Sequence, residues 1–362
     1  FVNGIRYMVT FADPAVANAI NQYNRLTIPK WLDDTVGNAT RWLAQAFTSR
    51  NPAFVAANFL RDVQHAALIH GIDPGGDLRG FMRNIPPSMA TITRNVRGKS
   101  APLKVAELGR LDILNTADRK MLIEQYGPER VMDALYEYFR DNGGETGFVH
   151  SKDVAEAEKE IKRYVAFRTG RVAELAKAAQ PSERPGIWLS YAAQKSGAKA
   201  IATGLENASK VAENTSRFAT FLASLDQGKS LLVAIDEAKN VTVNFNRRGT
   251  VTRPLGMFYV FFNASVQGAA QIARVAFKNR KRFAKVVASL AAAGFLDSLL
   301  LDFFLAGSGD DGRDLVVSEY EKRNHLIIPY MGKNGFLKIP LPQGFRAFYG
   351  IGSLLHDLYR GK

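Results

Sequence analysis

The sequence predicts a mainly α-helical protein, a multi-helix bundle with a small C-terminal β-hairpin. Helix start and stop signals recur along the chain, apolar residues recur at helical spacing between them, and period-two alternation is confined to two short stretches. With 362 residues, 46% of them hydrophobic and 23% charged, the chain can bury a substantial core. We expect an N-terminal helical region with a Pro- and Gly-rich loop (1–110), a central helical bundle (111–250), and an apolar helix pair with a β-hairpin and a closing helix (251–362).

The first helical segment begins at a strong local signal. Asn51 can cap a helix N-terminus, and Pro52 then takes the first helical position, where a missing N–H is tolerated. The predicted helix runs towards Gly71. Pro and Gly concentrate in residues 71–87, and residues 91–114 are polar and basic without a firm period. We therefore expect this stretch to form a surface loop or lid.

The central region is divided by local helix signals. Gly127 ends one helix and Pro128 begins the next, which predicts a helical hairpin with a one-residue joint. Asp153 begins a capping-box pattern, and Gly228 ends an Ala-rich helix before Ser230 caps another. The helices predicted from these signals cover residues 116–126, 128–139, 153–169, 171–179, 188–225 and 230–240.

Strand character is confined to two stretches. Residues 241–245 alternate with period two, and residues 325–341 contain two β-like runs. These runs are joined through Asn334-Gly335, a pair favoured in tight hairpin turns because both turn positions need positive φ. Residues 344–359 then predict a short closing helix.

Two apolar runs flank a basic cluster in the last third of the chain. Residues 254–273 contain no charge, and residues 286–307 contain only two aspartates. Each run is long enough, at roughly 20 residues, to cross a bilayer as a helix, and the basic residues between them would mark a cytoplasmic loop. The pattern is also that of two buried helices in a large soluble bundle. Both interpretations stay open at this point.

Acidic residues inside apolar or helical segments also have two interpretations. Asp297 and Asp302 are either a proton-sensitive or cation-paired buried site, or they simply point to solvent at a bundle surface, which is the simpler prediction. Glu213 and Arg217 are four residues apart, which predicts an ion pair on one helix face. Such a pair contributes little to stability unless it is buried.

The charge balance points to an acidic partner. The 48 Lys and Arg residues against 34 Asp and Glu give a net charge of +14, which attracts nucleic acid or anionic lipid. Nothing indicates recognition of base edges, so binding to nucleic acid should be independent of sequence and sensitive to salt. The expected phosphate-binding residues are Arg247, Arg248, Arg274, Lys278, Arg280, Lys281, Arg282 and Lys285.

Several classes of chemistry lack the residues that they need. The chain has no cysteine, so disulfides and thiolate sites are excluded, and no nucleotide-binding glycine motif is present. His65 and His70 are five residues apart, which places them off a common helix face and makes a zinc site there improbable. We assign no catalytic residue, no metal and no cofactor.

Four segments together resemble one known family. They are Thr48-Ser-Arg-Asn-Pro-Ala-Phe-Val-Ala-Ala-Asn-Phe-Leu-Arg-Asp62, Glu213-Asn-Thr-Ser-Arg-Phe-Ala-Thr-Phe221, Asp236-Glu-Ala-Lys-Asn-Val-Thr-Val-Asn-Phe-Asn-Arg-Arg-Gly249, and Asn324-His-Leu-Ile-Ile-Pro with Lys338-Ile-Pro-Leu-Pro-Gln-Gly-Phe345. In this order they resemble the large polyvalent protein-associated domain of bacteriophage and prophage proteins, from about residue 40 onwards.

The resemblance implies a module of a very long phage protein that is packaged in the virion and delivered with the genome. In short-tailed phages such internal proteins help to build a conduit for DNA across the cell envelope. The implied location is the virion interior and, after ejection, the host cell envelope or cytoplasm. The implied partners are phage DNA, the anionic inner membrane, other virion proteins and further copies of the chain. The family motif carries no agreed catalytic residues, and the start at Phe1 suggests a piece of a longer protein.

Three hypotheses about function follow. The first is a non-enzymatic ejection component, an oligomeric scaffold that contacts membrane and DNA. The second is a sequence-independent DNA-binding protein that protects injected DNA against host defence. The third is a hydrolase that uses the scattered carboxylates, which would need a deep pocket with converging acidic groups.

Overall fold

The computed structural model describes residues 51–145, 166, 170–178, 191, 198–242, 262–306, 317–330, 335–342 and 344–361. In this part of the chain it has twelve helices and one two-stranded antiparallel sheet, which confirms the mainly α prediction with a small C-terminal hairpin. The helices are α1 (Pro52–Ile72), α2 (Leu78–Val96), α3 (Val105–Leu108), α4 (Thr116–Tyr126), α5 (Pro128–Asp141), α6 (Val172–Ala178), α7 (Ala198–Asp226), α8 (Leu231–Asn240), α9 (Phe262–Lys278), α10 (Arg280–Ala306), α11 (Glu319–Asn324) and α12 (Arg346–Tyr359). The strands are β1 (His325–Tyr330) and β2 (Gly335–Pro340).

Local capping sets the ends of several helices where the sequence predicted them. The Asn51 side chain accepts hydrogen bonds from the backbone N–H groups of Ala53 and Phe54 at the start of α1. Gly127 has a φ of 84° between α4 and α5, a left-handed conformation that favours glycine, and Pro128 opens α5. The predicted helical hairpin with a one-residue joint is therefore confirmed.

The predicted surface loop or lid between residues 71 and 114 is wrong over α2. Asp77 caps this helix by accepting a hydrogen bond from Gly80 N at 2.9 Å, and the helix continues through Pro86 and Pro87 to Val96. The two prolines leave the carbonyl groups one turn earlier without their usual donors. Those carbonyls belong to Met82 and Arg83, both exposed residues at which water can replace the missing bonds.

Packing against the rest of the chain also holds α2 in place. Phe81 and Ile92 on its inner face are fully buried, and α2 lies along α7. Arg94, one of its cations, donates to the buried Asp133 carboxylate at 2.8 Å. The burial of this face outweighs the local signals for a loop.

The central core is built around the 29-residue helix α7, which contacts α1, α2, α5 and α8. Its largest hydrophobic cluster includes the fully buried rings of Tyr136, Phe139, Phe218 and Phe221. Tyr136 and Phe218 meet edge to face with ring centroids 5.1 Å apart, a favoured aromatic arrangement. This part of the protein follows the usual rule that large apolar side chains lie inside.

The C-terminal hairpin and closing helix are present as predicted, but the predicted two-residue turn at Asn334-Gly335 is wrong, because Gly335 is the first residue of β2 and lies opposite Tyr330. β1 and β2 pair in antiparallel register, with Leu326 opposite Ile339. Helix α12 begins at Arg346, two residues after the predicted start. The other predicted strand is not formed by its first residues, since Val241 and Thr242 make a bend after α8 and the remainder lies outside the described residues.

The basic cluster lies on two helices and not in the loop that the membrane-hairpin hypothesis predicted. Helix α9 ends at Lys278, α10 begins at Arg280, and Asn279 alone separates them. Asn279 accepts the N–H of Phe283 through its carbonyl at 2.9 Å and the N–H of Arg282 through its side chain at 3.1 Å. A residue that caps α10 so directly leaves no room for a loop. The first predicted apolar run lies partly outside the described residues, which resume at Phe262.

Candidate functional site

Helices α10 and α12 pack through small residues. A Cβ added at Gly294 would collide with the carbonyl oxygen of Tyr349, and a Cβ added at Gly352 would collide with that of Ala291. Both positions therefore require glycine for the two backbones to approach this closely. Contacts follow the same order along both helices, from Phe283 with Phe348 near the start of the pair towards its C-terminal end. The two helices therefore run in the same direction.

Polar groups fill the rest of this interface. The hydroxyl groups of Ser298 and Ser353 are 2.9 Å apart and both residues are buried. The Asp297 carboxylate is 6% exposed and accepts hydrogen bonds from the Tyr349 hydroxyl at 2.5 Å and from the Ile327 N–H at 3.1 Å. The simpler prediction that Asp297 points to solvent is wrong, because α10 turns this face towards α12 and β1.

Asp302 marks the C-terminal end of the pair. Its carboxylate accepts from Arg360 Nε at 3.1 Å and lies 3.6 Å from Nε2 of the buried His356. This is the cation-paired alternative from the sequence. Because Arg360 follows the last residue of α12, the bond ties the C-terminal ends of α10 and α12 together.

The outward faces of both helices are apolar. The exposed large side chains on α10 are Leu296, Leu299, Leu300, Phe303 and Phe304, and those on α12 are Ile351, Leu354, Leu355, Leu358 and Tyr359. We call these ten side chains the apolar surface. The exposed fraction reaches 76% for Phe303 and 77% for Tyr359. The Tyr359 ring lies 6.2 Å from the ring of Phe295, the neighbour of Leu296, so the two outward faces adjoin.

The pair thus inverts the usual distribution of side chains. Glycine, serine, aspartate and histidine lie between the two helices, while the ten side chains of the apolar surface lie outside; Leu301 of α10 is buried with Ile327 of β1. A helix pair in water normally shows the opposite pattern. Close contact through small residues, with hydrogen bonds between helices and apolar side chains outside, is the pattern of helices packed within lipid.

Helix α10 is also long enough and apolar enough to cross a membrane between Arg280 and Phe304, by length and composition alone. The core helix of a soluble protein passes the same test, but such a helix is mostly buried. Only 22% of the apolar window of α10 is buried inside the protein. Among the described residues, no other helix passes this test.

The six cations of the basic cluster are all exposed at the joint between α9 and α10. They are Arg274, Lys278, Arg280, Lys281, Arg282 and Lys285. The first turn of α10 contains three of these cations and no acidic residue. Positive side chains are unfavourable there, since the helix dipole already places partial positive charge at this end. Local helix stability therefore does not explain them, whereas an anionic partner would.

The surroundings of the cations differ along the cluster. Lys278 Nζ lies 2.8 Å from the Asp73 carboxylate, and the Arg280 guanidinium lies 6.0 Å from the centre of the Phe277 ring. Among the described residues the remaining four cations have no acidic partner within 4 Å. Arg247 and Arg248, the other predicted phosphate-binding residues, lie outside the described part of the chain.

The predicted ion pair of Glu213 with Arg217 belongs to a buried region of α7. Arg217 is 1% exposed and donates from Nη1 to the carbonyl oxygen of Glu213 at 3.0 Å. Burial raises the pKa of the nearby Asp62 to about 7, although the Arg217 charge acts in the opposite direction. Asp62 was not predicted as part of this region, because α1 and α7 meet only in the folded chain.

The two histidines of α1 have separate hydrogen-bond partners. His65 Nε2 lies 2.9 Å from Gln271 Oε1, and His70 Nε2 lies 3.1 Å from the Thr220 hydroxyl. In the part of the chain that the structure describes, no three potential metal-ligating side chains come together. No protein-family model matches the chain, and neither a curated protein nor a solved structure matches it significantly.

Proposed function

We propose that this chain is a non-enzymatic phage virion protein that is ejected with the genome and acts as an oligomeric scaffold contacting membrane and DNA. One observation carries the membrane part of the proposal. The solvent-facing stripe of α10 passes from Lys281, Arg282 and Lys285 to Leu296, Leu300 and Phe303 without an intervening charge. The phage origin rests on the sequence resemblance alone.

The order of side chains along this stripe fits an anionic bilayer. Cations bind headgroup phosphates, each contributing about 1 kcal/mol near the surface, and apolar side chains enter the acyl-chain boundary. The small residues Ala284, Ala288 and Ala292 lie between the two ends of the stripe and are also exposed. A solvated face of a soluble helix would carry charges at these positions.

The cation cluster also supports contact with DNA. Six exposed cations at one joint provide a surface for phosphates, and counterion release makes such binding strongly dependent on salt. The same observation favours the second candidate function, protection of injected DNA through sequence-independent binding. The two functions differ in lipid affinity, which only the first requires.

Vesicle flotation of a triple variant tests the proposal. In Leu296→Gln/Leu300→Gln/Phe303→Gln the changed side chains are 55%, 52% and 76% exposed, so the fold should be kept. Full burial of one such side chain contributes about 1.5–3 kcal/mol, so these exposed fractions together represent about 3–5 kcal/mol. We expect a loss of at least roughly 100-fold in partitioning to anionic vesicles, since about 1.4 kcal/mol corresponds to a factor of ten.

A matched control removes exposed apolar side chains from other helices. Val105→Gln/Leu232→Gln/Val233→Gln changes three residues that are 84%, 78% and 46% exposed, and it should float like the parent. Flotation of the parent that persists at 0.5 M salt supports insertion of apolar side chains. If the unmodified protein never floats with vesicles but binds duplex DNA at low salt, the proposed membrane function is wrong and the DNA-protection function is favoured.

A further inference from the structure

We propose that the α10–α12 pair lies in the bilayer interface as a folded unit, and that α10 does not cross the bilayer as the second helix of the hairpin suggested for residues 254–307. The inference rests on the proposed membrane contact and specifies its geometry. In this arrangement the apolar surface faces the acyl chains, and the polar interior of the pair stays closed.

The interior of the pair contains groups that would be costly to separate. Ser298 and Ser353 are buried and bond to each other, and Asp297 is satisfied by Tyr349 and Ile327. Separating α12 from α10 in lipid would expose these polar groups to hydrocarbon, where each unsatisfied group costs several kcal/mol. The pair is therefore stable in contact with lipid only if it remains assembled.

The bond from Asp297 to Ile327 also argues against a full crossing. Ile327 belongs to β1, and its side chain packs with Leu301 and Val317 in a separate buried cluster. A bilayer crossing by α10 would carry this hairpin into the hydrocarbon, where the exposed edges of a two-stranded sheet cannot be satisfied. An interfacial helix pair keeps the hairpin on the water side.

The outward face of α12 offers a place for a phospholipid headgroup. Arg323 and Arg346 line a shallow groove together with Ile351 and Leu354, and all four residues are exposed. Guanidinium groups bind phosphate oxygens well, and the two apolar residues would lie beside the upper acyl chain. Arg323 also contacts Glu319 at 3.4 Å, a solvent-exposed bond that a phosphate can replace. This groove adds a second set of cations to the same surface.

A second copy of the chain is the main competing occupant. The cations at one end of the α10 stripe favour lipid, because two like copies in parallel would oppose Lys281, Arg282 and Lys285 to one another. In an antiparallel arrangement each of these cations would lie against Leu or Phe of the other copy. An anionic bilayer offers phosphates to the cations at one end of the stripe and acyl chains to the apolar side chains at the other.

Single-cysteine labelling measures the geometry directly. The natural chain has no cysteine, so one introduced cysteine carries the only probe. Environment-sensitive fluorophores are placed at exposed positions Ala284, Ala292 and Leu299 of α10 and Leu358 of α12, with Leu232 of α8 as the control. Quenching by spin labels near the headgroup or in mid-chain then reports the depth of each probe in phosphatidylglycerol-containing vesicles.

If the pair lies in the bilayer interface, the four probes should have similar, shallow depths of about 5–10 Å, and the probe at the control position should not be quenched. A helix that crosses the bilayer predicts the greatest depth at Ala292, about 15 Å from either face of a hydrocarbon core of about 30 Å. That profile, or quenching on α10 without quenching at Leu358, would overturn this inference and leave the proposed membrane function intact. Absence of vesicle binding would overturn both. If the probes are shielded from water without lipid and the mass of the protein in solution is doubled, the apolar surface binds a second copy of the chain.

A disulfide lock and a charge variant complete the test. Ser298→Cys/Ser353→Cys joins the helices, and we expect oxidised and reduced protein to bind vesicles equally within about twofold. A tenfold or greater loss of vesicle binding on oxidation would mean that the pair opens.

The variant Arg323→Gln/Arg346→Gln should lose roughly tenfold or more in affinity for anionic vesicles. The control Arg97→Gln/Lys99→Gln removes equal charge from an exposed site elsewhere, and an equal loss there would remove the headgroup role from the groove.

Discussion

Adding one methyl group at Gly352 should separate α10 from α12, whereas the same change two residues earlier should not. The new Cβ at Gly352 would overlap the Ala291 carbonyl oxygen and lie 2.9 Å from Phe295 N, both backbone atoms of α10. At Gly350 the nearest atom is Arg323 Cβ at 3.8 Å, an ordinary contact. Gly350→Ala is thus a matched control on the same helix.

The size of the effect follows from these contacts. To bring the new Cβ to an ordinary distance of about 3.5 Å from the backbone atoms of α10, α12 must move away from α10 by roughly 1 Å or more. This movement weakens the hydrogen bond between the Ser298 and Ser353 hydroxyls. Overpacking costs about 1–3 kcal/mol, and a lost buried hydrogen bond adds about 1–2 kcal/mol. Replacing glycine by alanine inside a helix returns about 1 kcal/mol. We expect Gly352→Ala to destabilise the pair by about 1–4 kcal/mol and Gly350→Ala to stabilise it slightly.

Hydrogen exchange of the backbone amides measures this effect for each segment separately. A local measurement is needed because the parts of a chain of this size can unfold independently. In peptides covering α12, Gly352→Ala should speed exchange by roughly fivefold or more, since about 1.4 kcal/mol corresponds to a factor of ten. Peptides from α5 should not change in either variant. Equal α12 protection in Gly352→Ala and Gly350→Ala would refute the close approach of the two helices.

Three further substitutions test the rest of the fold. Burial lowers the pKa of His70 from 6.5 to about 4, so at this site the unfolded chain binds the proton first as pH falls. The contribution of His70 to stability should therefore drop by about 2 kcal/mol between pH 7.5 and 5.0, while the raised pKa of Asp62 acts in the opposite direction. In His70→Gln, denaturant unfolding should lack this part of the pH dependence, and an unchanged difference would contradict it. Asp133→Asn removes the buried charge that Arg94 and the Ala101 N–H contact, and should cost about 3–5 kcal/mol in urea unfolding; a cost below 1 kcal/mol would contradict the ion pair. Asn115→Ala removes the side-chain cap of α4 and should cost about 1 kcal/mol in the same assay, with Asn115→Asp as the control that keeps the cap.

Helix boundaries could be predicted because their causes are local. Asn51, Gly127 and Pro128 act on the backbone within one turn, so their effect is visible in a few neighbouring residues. Helix α2 could not be predicted in the same way. Pro86 and Pro87 are local signals against a helix, and the burial of its inner face against α7 is a contact between distant parts of the chain.

The candidate site was predictable only in part. The exposed cations and the apolar run of α10 are visible in the sequence, but the partner helix is not, since Gly294 and Gly352 are 58 residues apart. A local signal did exist. Gly294 and Ser298 are spaced by four within an apolar run, which is the small-residue spacing of closely packed helices.

The contrast between two parts of one chain is the strongest argument that α10 and α12 are adapted to something other than water. Around α7, Phe139, Phe218 and Phe221 are fully buried, so this sequence is able to place large apolar side chains inside. On α10 it instead buries Gly294 and exposes Phe303. A substitution at an outward position costs the fold little, so polar residues could replace these side chains without loss of stability. Their presence on both helices of one pair, next to exposed cations, therefore supports the proposed contact with an anionic bilayer, which is apolar in its interior and anionic at its surface.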